Sequence, residues 1–150
     1  FLYGALHRAG FASAAVSTSR EDGLELLDAR ITNAVRCVPP ANQPTPAEVE
    51  RCFPFLRREI ELARDVRVVL CLGGLAWKAA LRFLRESEFA VPRPAPKFGH
   101  GAECRVAGAP LLLGAFHPSQ LNTRTGRLTA PMFDAVLKRA RRELDALRSA

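Results

Sequence analysis

The sequence contains little of what marks secreted or membrane-spanning proteins. None of its apolar runs approaches the roughly 20 residues needed to cross a bilayer, and no charged segment followed by an apolar one opens the chain. Its four cysteines have neither the close spacing of a zinc ribbon nor a secretory context. These absences predict a soluble intracellular protein and argue against a small disulfide-held scaffold.

Lysine is also scarce, although the chain is strongly basic. Only Lys78, Lys97 and Lys138 are lysines among 22 basic residues, and the formal net charge is +7. A genome rich in G and C explains part of the arginine excess, because its codons favour arginine and alanine. Guanidinium groups nevertheless match phosphate oxygens well, so the charge favours a polyanionic partner.

A chain of 150 residues, about half of them apolar, can form one domain with a sizeable core, so we expect residues 1–150 to be a single domain. Helices and strands are predicted to alternate. The capping box and N1 proline of Thr45-Pro46-Ala47-Glu48 indicate a helix start, and Thr129 is predicted to cap the last helix. The predicted helices are 1–10, 45–64, 73–87 and 129–148, and the predicted strands are 29–36, 66–72, 103–107 and 110–116. This order predicts an α/β fold with a largely parallel sheet between helices.

Two polar segments follow predicted strands, "TNAVRC" before the proline-rich "CVPPANQPTP" and "HPSQLNTRTG" after "LLLGAF". In parallel sheets, ligands bind beyond the carboxyl ends of the strands. Both segments are therefore candidate parts of a binding site.

Four segments in this order, "RITNAVRCVPPANQPTPAEVERC", "VVLCLGGLAWKAAL", "FGHG" and "HPSQLNTRTGRLT", resemble uracil-DNA glycosylases that carry an iron-sulfur cluster, most closely the family 5 branch. The resemblance implies a three-layer α/β/α sandwich and hydrolysis of the N-glycosidic bond of uracil in DNA, with hypoxanthine as a candidate second base. It also implies a monomer that acts on DNA containing deaminated bases, in the cytoplasm of a bacterium or archaeon, at its nucleoid. The family's glycine-rich, water-positioning motif would precede Phe1, so we expect the chain to lack its N-terminal portion.

The resemblance assigns two residues to the reaction. His117 would donate a hydrogen bond to uracil O2 as negative charge develops on the departing base. Asn33 would pair with uracil N3–H and O4, because an amide offers both an acceptor and donors. From the residues alone, His117 could instead cap a strand end, and Asn33 could occupy a turn.

The same loop supplies candidate contacts to DNA. Leu121 matches the residue that, in similar enzymes, fills the gap left by the flipped nucleotide, although partial burial under the loop explains a leucine equally well. The candidate phosphate-binding residues are Ser119, Asn122, Arg124 and Arg127. For the two arginines the alternative is ordinary solvated charge.

Cys37 and Cys52 flank the proline-rich segment and look like half of the ligand set of a [4Fe–4S] cluster, which needs four thiolates. In the family, the other pair lies upstream as C-x-x-C. A zinc site completed by His7 or His100 is an alternative without supporting spacing. Cys71 and Cys104 are predicted to be inert side chains of the core.

Other functions remain open at this stage. The chain could be a non-catalytic homologue that binds DNA, a hydrolase of free nucleotides on a similar sheet, or a purely structural basic domain. Iron content and abasic-site formation would distinguish the first from a glycosylase, and the preferred substrate would distinguish the second.

Overall fold

The computed structural model describes residues 1–37, 39 and 43–149, which contain five helices and three strands. In chain order these are α1 (Leu2–Arg8), α2 (Pro46–Leu62), β1 (Val68–Leu72), α3 (Gly74–Glu86), β2 (Glu103–Cys104), β3 (Leu111–Ala115), α4 (Gln120–Arg124) and α5 (Ala130–Arg148). Within these ranges, no helix combines the length and the apolar character that crossing a membrane requires.

The predicted helix starts are confirmed. At α2, the Thr45 hydroxyl accepts from the Glu48 N–H and the Glu48 carboxylate accepts from the Thr45 N–H, with Pro46 at the first helical position. At α5, the Thr129 side chain accepts from the Met132 N–H. These side chains satisfy backbone donors that a helix leaves unpaired at its first turn.

The sheet has the strand order β1-β3-β2, so β3 is central. β3 pairs with β1 in parallel from Val68–Leu111 to Leu72–Ala115, and with β2 in antiparallel over two residues. The pairing is largely parallel, as predicted. The carboxyl ends of β1 and β3 therefore meet at one edge of the sheet.

Alternate side chains of β3 enter two separate parts of the core, as the period of a strand requires. Leu111 and Leu113 pack with Phe133 and Leu137 of α5 and with buried residues of α1. Leu112 packs on the other side with Trp77 and Leu84 of α3 and with Phe53 of α2. Helices thus cover both faces of the sheet, which confirms the three-layer arrangement.

The strand predicted at residues 29–36 is wrong. This segment has no regular secondary structure, and the Ile31 side chain is exposed. Its side chains, rather than strand hydrogen bonds, attach it to α2, mainly through Glu59. The predicted strand at 103–107 is reduced to two residues, and α4 was not predicted.

Candidate functional site at the carboxyl edge of the sheet

His117 lies where β1 and β3 end side by side. The Gly73 N–H after β1 donates to the Ala115 carbonyl at the end of β3, at 2.8 Å. Gly73 has a φ of 97°, which favours glycine, and a Cβ atom built there would lie 3.5 Å from the His117 Cβ. The His117 side chain itself is exposed. The structure thus places an accessible imidazole at the sheet edge, beside the start of α3.

The loop that follows His117 is held by its own polar side chains. The Ser119 hydroxyl caps α4 by accepting from the Asn122 N–H at 3.3 Å. The Asn122 side-chain amide donates to the His117 backbone carbonyl at 2.8 Å. The Asn122 backbone carbonyl accepts from the N–H of buried Leu128. Ser119 and Asn122 therefore order the loop from within, in addition to any contact that they make with a ligand.

Leu121 projects from α4 with 72% of its surface exposed, the largest value among the large apolar side chains in the described residues. The structure therefore does not bury it under the loop, which was the simpler explanation of a leucine at this position. An isolated apolar side chain on a polar loop is free to insert into a partner.

Arg124 and Arg127 are exposed on the same loop. The Arg127 guanidinium lies over the Phe116 ring, 5.0 Å from its centroid, a cation–π contact that leaves the hydrogen-bond donors accessible. In contrast, basic side chains of α5 form ion pairs with acids of the protein. Arg139 pairs with Glu103 and Glu143, and Arg141 pairs with Asp28.

Arginine pairs also shift the pKa of an acid on α5. Hydrogen bonds from Arg105 and Arg139 lower the pKa of Glu143 to about 2. Glu143 therefore stays ionised at neutral pH and cancels part of the charge of this helix. The loop after His117 carries exposed positive charge of its own in Arg124 and Arg127.

Asn33 lies in the irregular segment that Glu59 attaches to α2. The Glu59 carboxylate accepts from the Thr32 hydroxyl at 2.7 Å, from Arg30 Nε at 2.8 Å and from Arg36 Nη2 at 2.7 Å. Hydrogen bonds from Thr32 and then Arg30 lower the pKa of Glu59. The Asn33 side chain is exposed, and the described residues show no hydrogen bond that joins it to His117.

Cys37 and Cys52 are brought together by the same segment. The Arg36 N–H donates to Cys52 Sγ at 3.5 Å. Partial desolvation raises the pKa of Cys37, and the Cys52 thiol is near enough to add to this rise. Residues 38 and 40–42 of the proline-rich segment lie outside the described part of the chain.

The other two cysteines are buried, as predicted, and burial raises the pKa of Cys71 to about 12. In the part of the chain that the structure describes, no group of three or more His, Cys, Asp or Glu side chains could hold a metal ion. The alternative zinc site with His7 or His100 is therefore not formed by these residues.

Sequence reasoning missed the connections that fix the site. His100 joins the residue before His117 to α5, because its ring nitrogens contact the Phe116 N–H and the Met132 carbonyl. The same His100 ring belongs to a continuous aromatic cluster, formed with Trp77, Phe98 and Phe116. Of the two glycines in "FGHG", Gly101 has a φ of 77°, which favours glycine, and this turn is the local signal of the loop.

Comparisons with known proteins agree on one family. The family model described as "Uracil DNA glycosylase superfamily" matches residues 1–141. A type-5 uracil-DNA glycosylase of Mycobacterium tuberculosis is 46% identical over 142 residues, which are 94% of this chain and 52% of that protein. Type-5 enzymes of Pyrobaculum aerophilum and Thermus thermophilus are each 42% identical, over 93% and 95% of this chain and 58% and 62% of their own lengths. The chain thus spans a little more than half the length of these relatives.

Proposed function

We propose, because this chain belongs to the uracil DNA glycosylase superfamily, that the protein hydrolyses the N-glycosidic bond of uracil in DNA and leaves an abasic site. The observation that supports this most is the position of His117, exposed at the carboxyl edge of the sheet on an ordered loop. Hypoxanthine is proposed as a second base, and DNA containing deaminated bases as the partner of a monomeric enzyme in the bacterial or archaeal cytoplasm.

The reaction requires a donor for the departing base. The C1′–N1 bond is inaccessible inside the stacked duplex, so the nucleotide must be extruded, and breaking the bond leaves negative charge on uracil. We propose that the His117 imidazole donates a hydrogen bond to uracil O2 as this charge develops. α3 begins at Gly74, beside His117, and the partial positive charge of a helix N-terminus favours the same anion.

Selection of the base is assigned to Asn33. Its amide can accept from uracil N3–H and donate to O4, whereas cytosine presents the opposite pattern at these positions. The exposed side chain and the attachment of residues 30–36 to Glu59 support this role, because a base-reading amide must be both accessible and fixed.

The interface with DNA is assigned to the loop after His117. Leu121 would occupy the space of the extruded nucleotide, and its exposure supports this. Arg124 and Arg127 would contact phosphates with their accessible guanidinium groups. Ser119 and Asn122 would add contacts of their own while they keep the loop ordered.

Cys37 and Cys52 are proposed as two of the four thiolate ligands of a [4Fe–4S] cluster. The fit rests on the Arg36 N–H, which donates to Cys52 Sγ at 3.5 Å and so places the residue before Cys37 against α2. Such a cluster is held by four cysteines, and the described residues bring two together. Bound there, it would supply a structural crosslink between the Asn33 segment and α2.

A direct test is the release of uracil from an oligonucleotide that contains one deoxyuridine, followed by alkaline cleavage of the abasic product. The complete protein is expected to cut this strand and to leave the same sequence with thymine intact. Cleavage of neither strand by folded, iron-loaded protein would refute the proposed activity, and release of uracil from the free nucleotide alone would support a nucleotide hydrolase instead.

A further inference from the structure

His100 connects three elements through a single ring. Its Nδ1 accepts from the Phe116 N–H at 3.2 Å, and its Nε2 lies 3.1 Å from the Met132 carbonyl oxygen at the start of α5. A backbone N–H can only donate and a carbonyl can only accept. Both contacts therefore hold together only when the ring is neutral and carries its proton on Nε2.

The loop that presents His100 packs tightly against β3. The Gly101 N–H donates to the Gly114 carbonyl at 2.8 Å, and the Gly114 N–H donates to the Ala102 carbonyl at 2.7 Å. A Cβ atom at Gly114 would lie 2.5 Å from the Gly99 carbonyl oxygen, so only glycine allows this approach. The His100 ring also packs on the Phe116 ring, with centroids 5.2 Å apart.

Phe116 immediately precedes His117, and its amide lies just beyond the paired part of β3. The register of the β1–β3 pair ends at Leu72 and Ala115, so the strand does not provide an acceptor for Phe116. His100 Nδ1 supplies it. On the other side of the catalytic candidate, Asn122 holds the His117 carbonyl. Side-chain hydrogen bonds thus fix the chain immediately before and after the His117 side chain.

We propose that His100 is a positioning residue for His117: its neutral Nδ1 holds the Phe116 amide and thereby sets the direction in which His117 presents its imidazole to the departing base. This inference rests on the proposed glycosylase function and adds a residue to it. A shift of about 1 Å in a reacting group can cost roughly 100-fold in rate, so an acceptor one residue away from the donor has a measurable effect on chemistry.

Two substitutions separate the hydrogen bond to Phe116 from the packing of the ring. In His100→Asn, the side-chain oxygen can take the place of Nδ1 and accept from the Phe116 N–H, while the link to Met132 is lost. In His100→Phe, an aromatic ring remains for packing on Phe116, but both hydrogen bonds are lost. His7→Phe is the matched control, because His7 is an exposed histidine of α1.

The rate of uracil excision is measured in a single turnover with the complete protein, together with its affinity for the same DNA. We expect His100→Phe to lower the rate by roughly 10-fold to 100-fold, His100→Asn to restore it to within about threefold of the unchanged enzyme, and His7→Phe to leave it unchanged. Affinity for DNA is expected to stay within about twofold in all three, because phosphate contacts come from other side chains. Equal rates for folded His100→Phe and unchanged enzyme would overturn the proposal, as would an equal loss in the Asn and Phe variants.

Nuclear magnetic resonance of the ¹⁵N-labelled protein gives a test that does not depend on activity. We expect the His100 ring in the Nε2–H form at neutral pH, and slow hydrogen exchange of the Phe116 amide that is lost in His100→Phe and retained in His100→Asn. A doubly protonated or Nδ1–H ring would overturn the proposal even in an active enzyme. Conversely, absence of uracil excision by a protein that shows the expected resonances would refute the glycosylase function and not the geometry.

Discussion

Replacement of Glu59 by glutamine would test how the segment that carries Asn33 is held. This change keeps the size of the side chain and removes its charge. The Thr32 hydroxyl, Arg30 and Arg36 all donate to this one carboxylate. A glutamine offers a single acceptor oxygen. Its NH2 group would face Arg30 if it replaced Oε1, or Thr32 and Arg36 if it replaced Oε2.

The expected loss of stability follows from the exposure of the partners. The Glu59 side chain is 14% exposed, but the side chains of Arg30 and Arg36 are 73% and 51% exposed. Each ion pair is therefore screened by solvent and contributes about 0.5 kcal/mol, and the hydroxyl hydrogen bond contributes about 1 kcal/mol. A total near 2 kcal/mol corresponds to a decrease of about 4 to 8 °C in the melting temperature of a domain of this size.

The effect should also depend on pH. The pKa of Glu59 is lowered in the folded protein, so the carboxylate stabilises the fold above its ordinary pKa of about 4.5, and this contribution is lost as the pH falls through the lower, folded value. The unchanged protein should therefore lose more stability on acidification than Glu59→Gln does. The two melting temperatures should converge at the acid end of the range.

Thermal melting and hydrogen exchange of residues 30–36 measure these effects, with Glu21→Gln as the control because Glu21 is an exposed acid outside this cluster. We also expect uracil excision by Glu59→Gln to decrease about 10-fold, since Asn33 is no longer fixed. Unchanged melting and unchanged exchange of these amides in Glu59→Gln would show that the carboxylate does not hold the segment.

Three further predictions follow from the loop, the cysteines and β3. Affinity for DNA should decrease steeply between roughly 50 and 200 mM salt, and a double change of Arg124 and Arg127 to alanine should flatten this dependence; an unaltered slope would remove both arginines from the interface. Replacement of Cys37 by alanine should lower the iron content and the brown colour of the complete protein, whereas replacement of buried Cys71 should not; equal iron in both variants would exclude Cys37 as a ligand. Gly114→Ala should destabilise the protein by about 1 to 3 kcal/mol, because its Cβ would approach the Gly99 carbonyl to 2.5 Å, and an unchanged melting temperature would contradict this packing.

Local signals predicted much of this fold. The capping box at Thr45 and the cap at Thr129 gave the starts of the two longest helices, because those signals act within one helical turn. The buried run around Cys71 and the apolar run before His117 gave the two parallel strands. The position of His117 beyond a strand end followed from that order alone.

The segment around Asn33 could not be predicted in the same way. Its β-branched residues favour a strand, yet its side chains donate hydrogen bonds to Glu59, which is 27 residues away from Thr32. The bridge from His100 to Phe116 and Met132 likewise depends on residues 16 and 32 positions away. Contacts between distant residues have no periodic signature in a single sequence, and both of the missed features are of this kind.

Whether His117 stabilises the departing base is measured by the single-turnover rate of uracil release by His117→Ala in the complete protein. We expect a decrease of roughly 100-fold or more, the loss typical of one oxyanion donor. Melting temperature and affinity for DNA should change little, because the side chain is exposed and the phosphate contacts are assigned elsewhere. An unchanged rate in the folded variant, or a loss of stability that accounts for the whole decrease, would contradict the assignment.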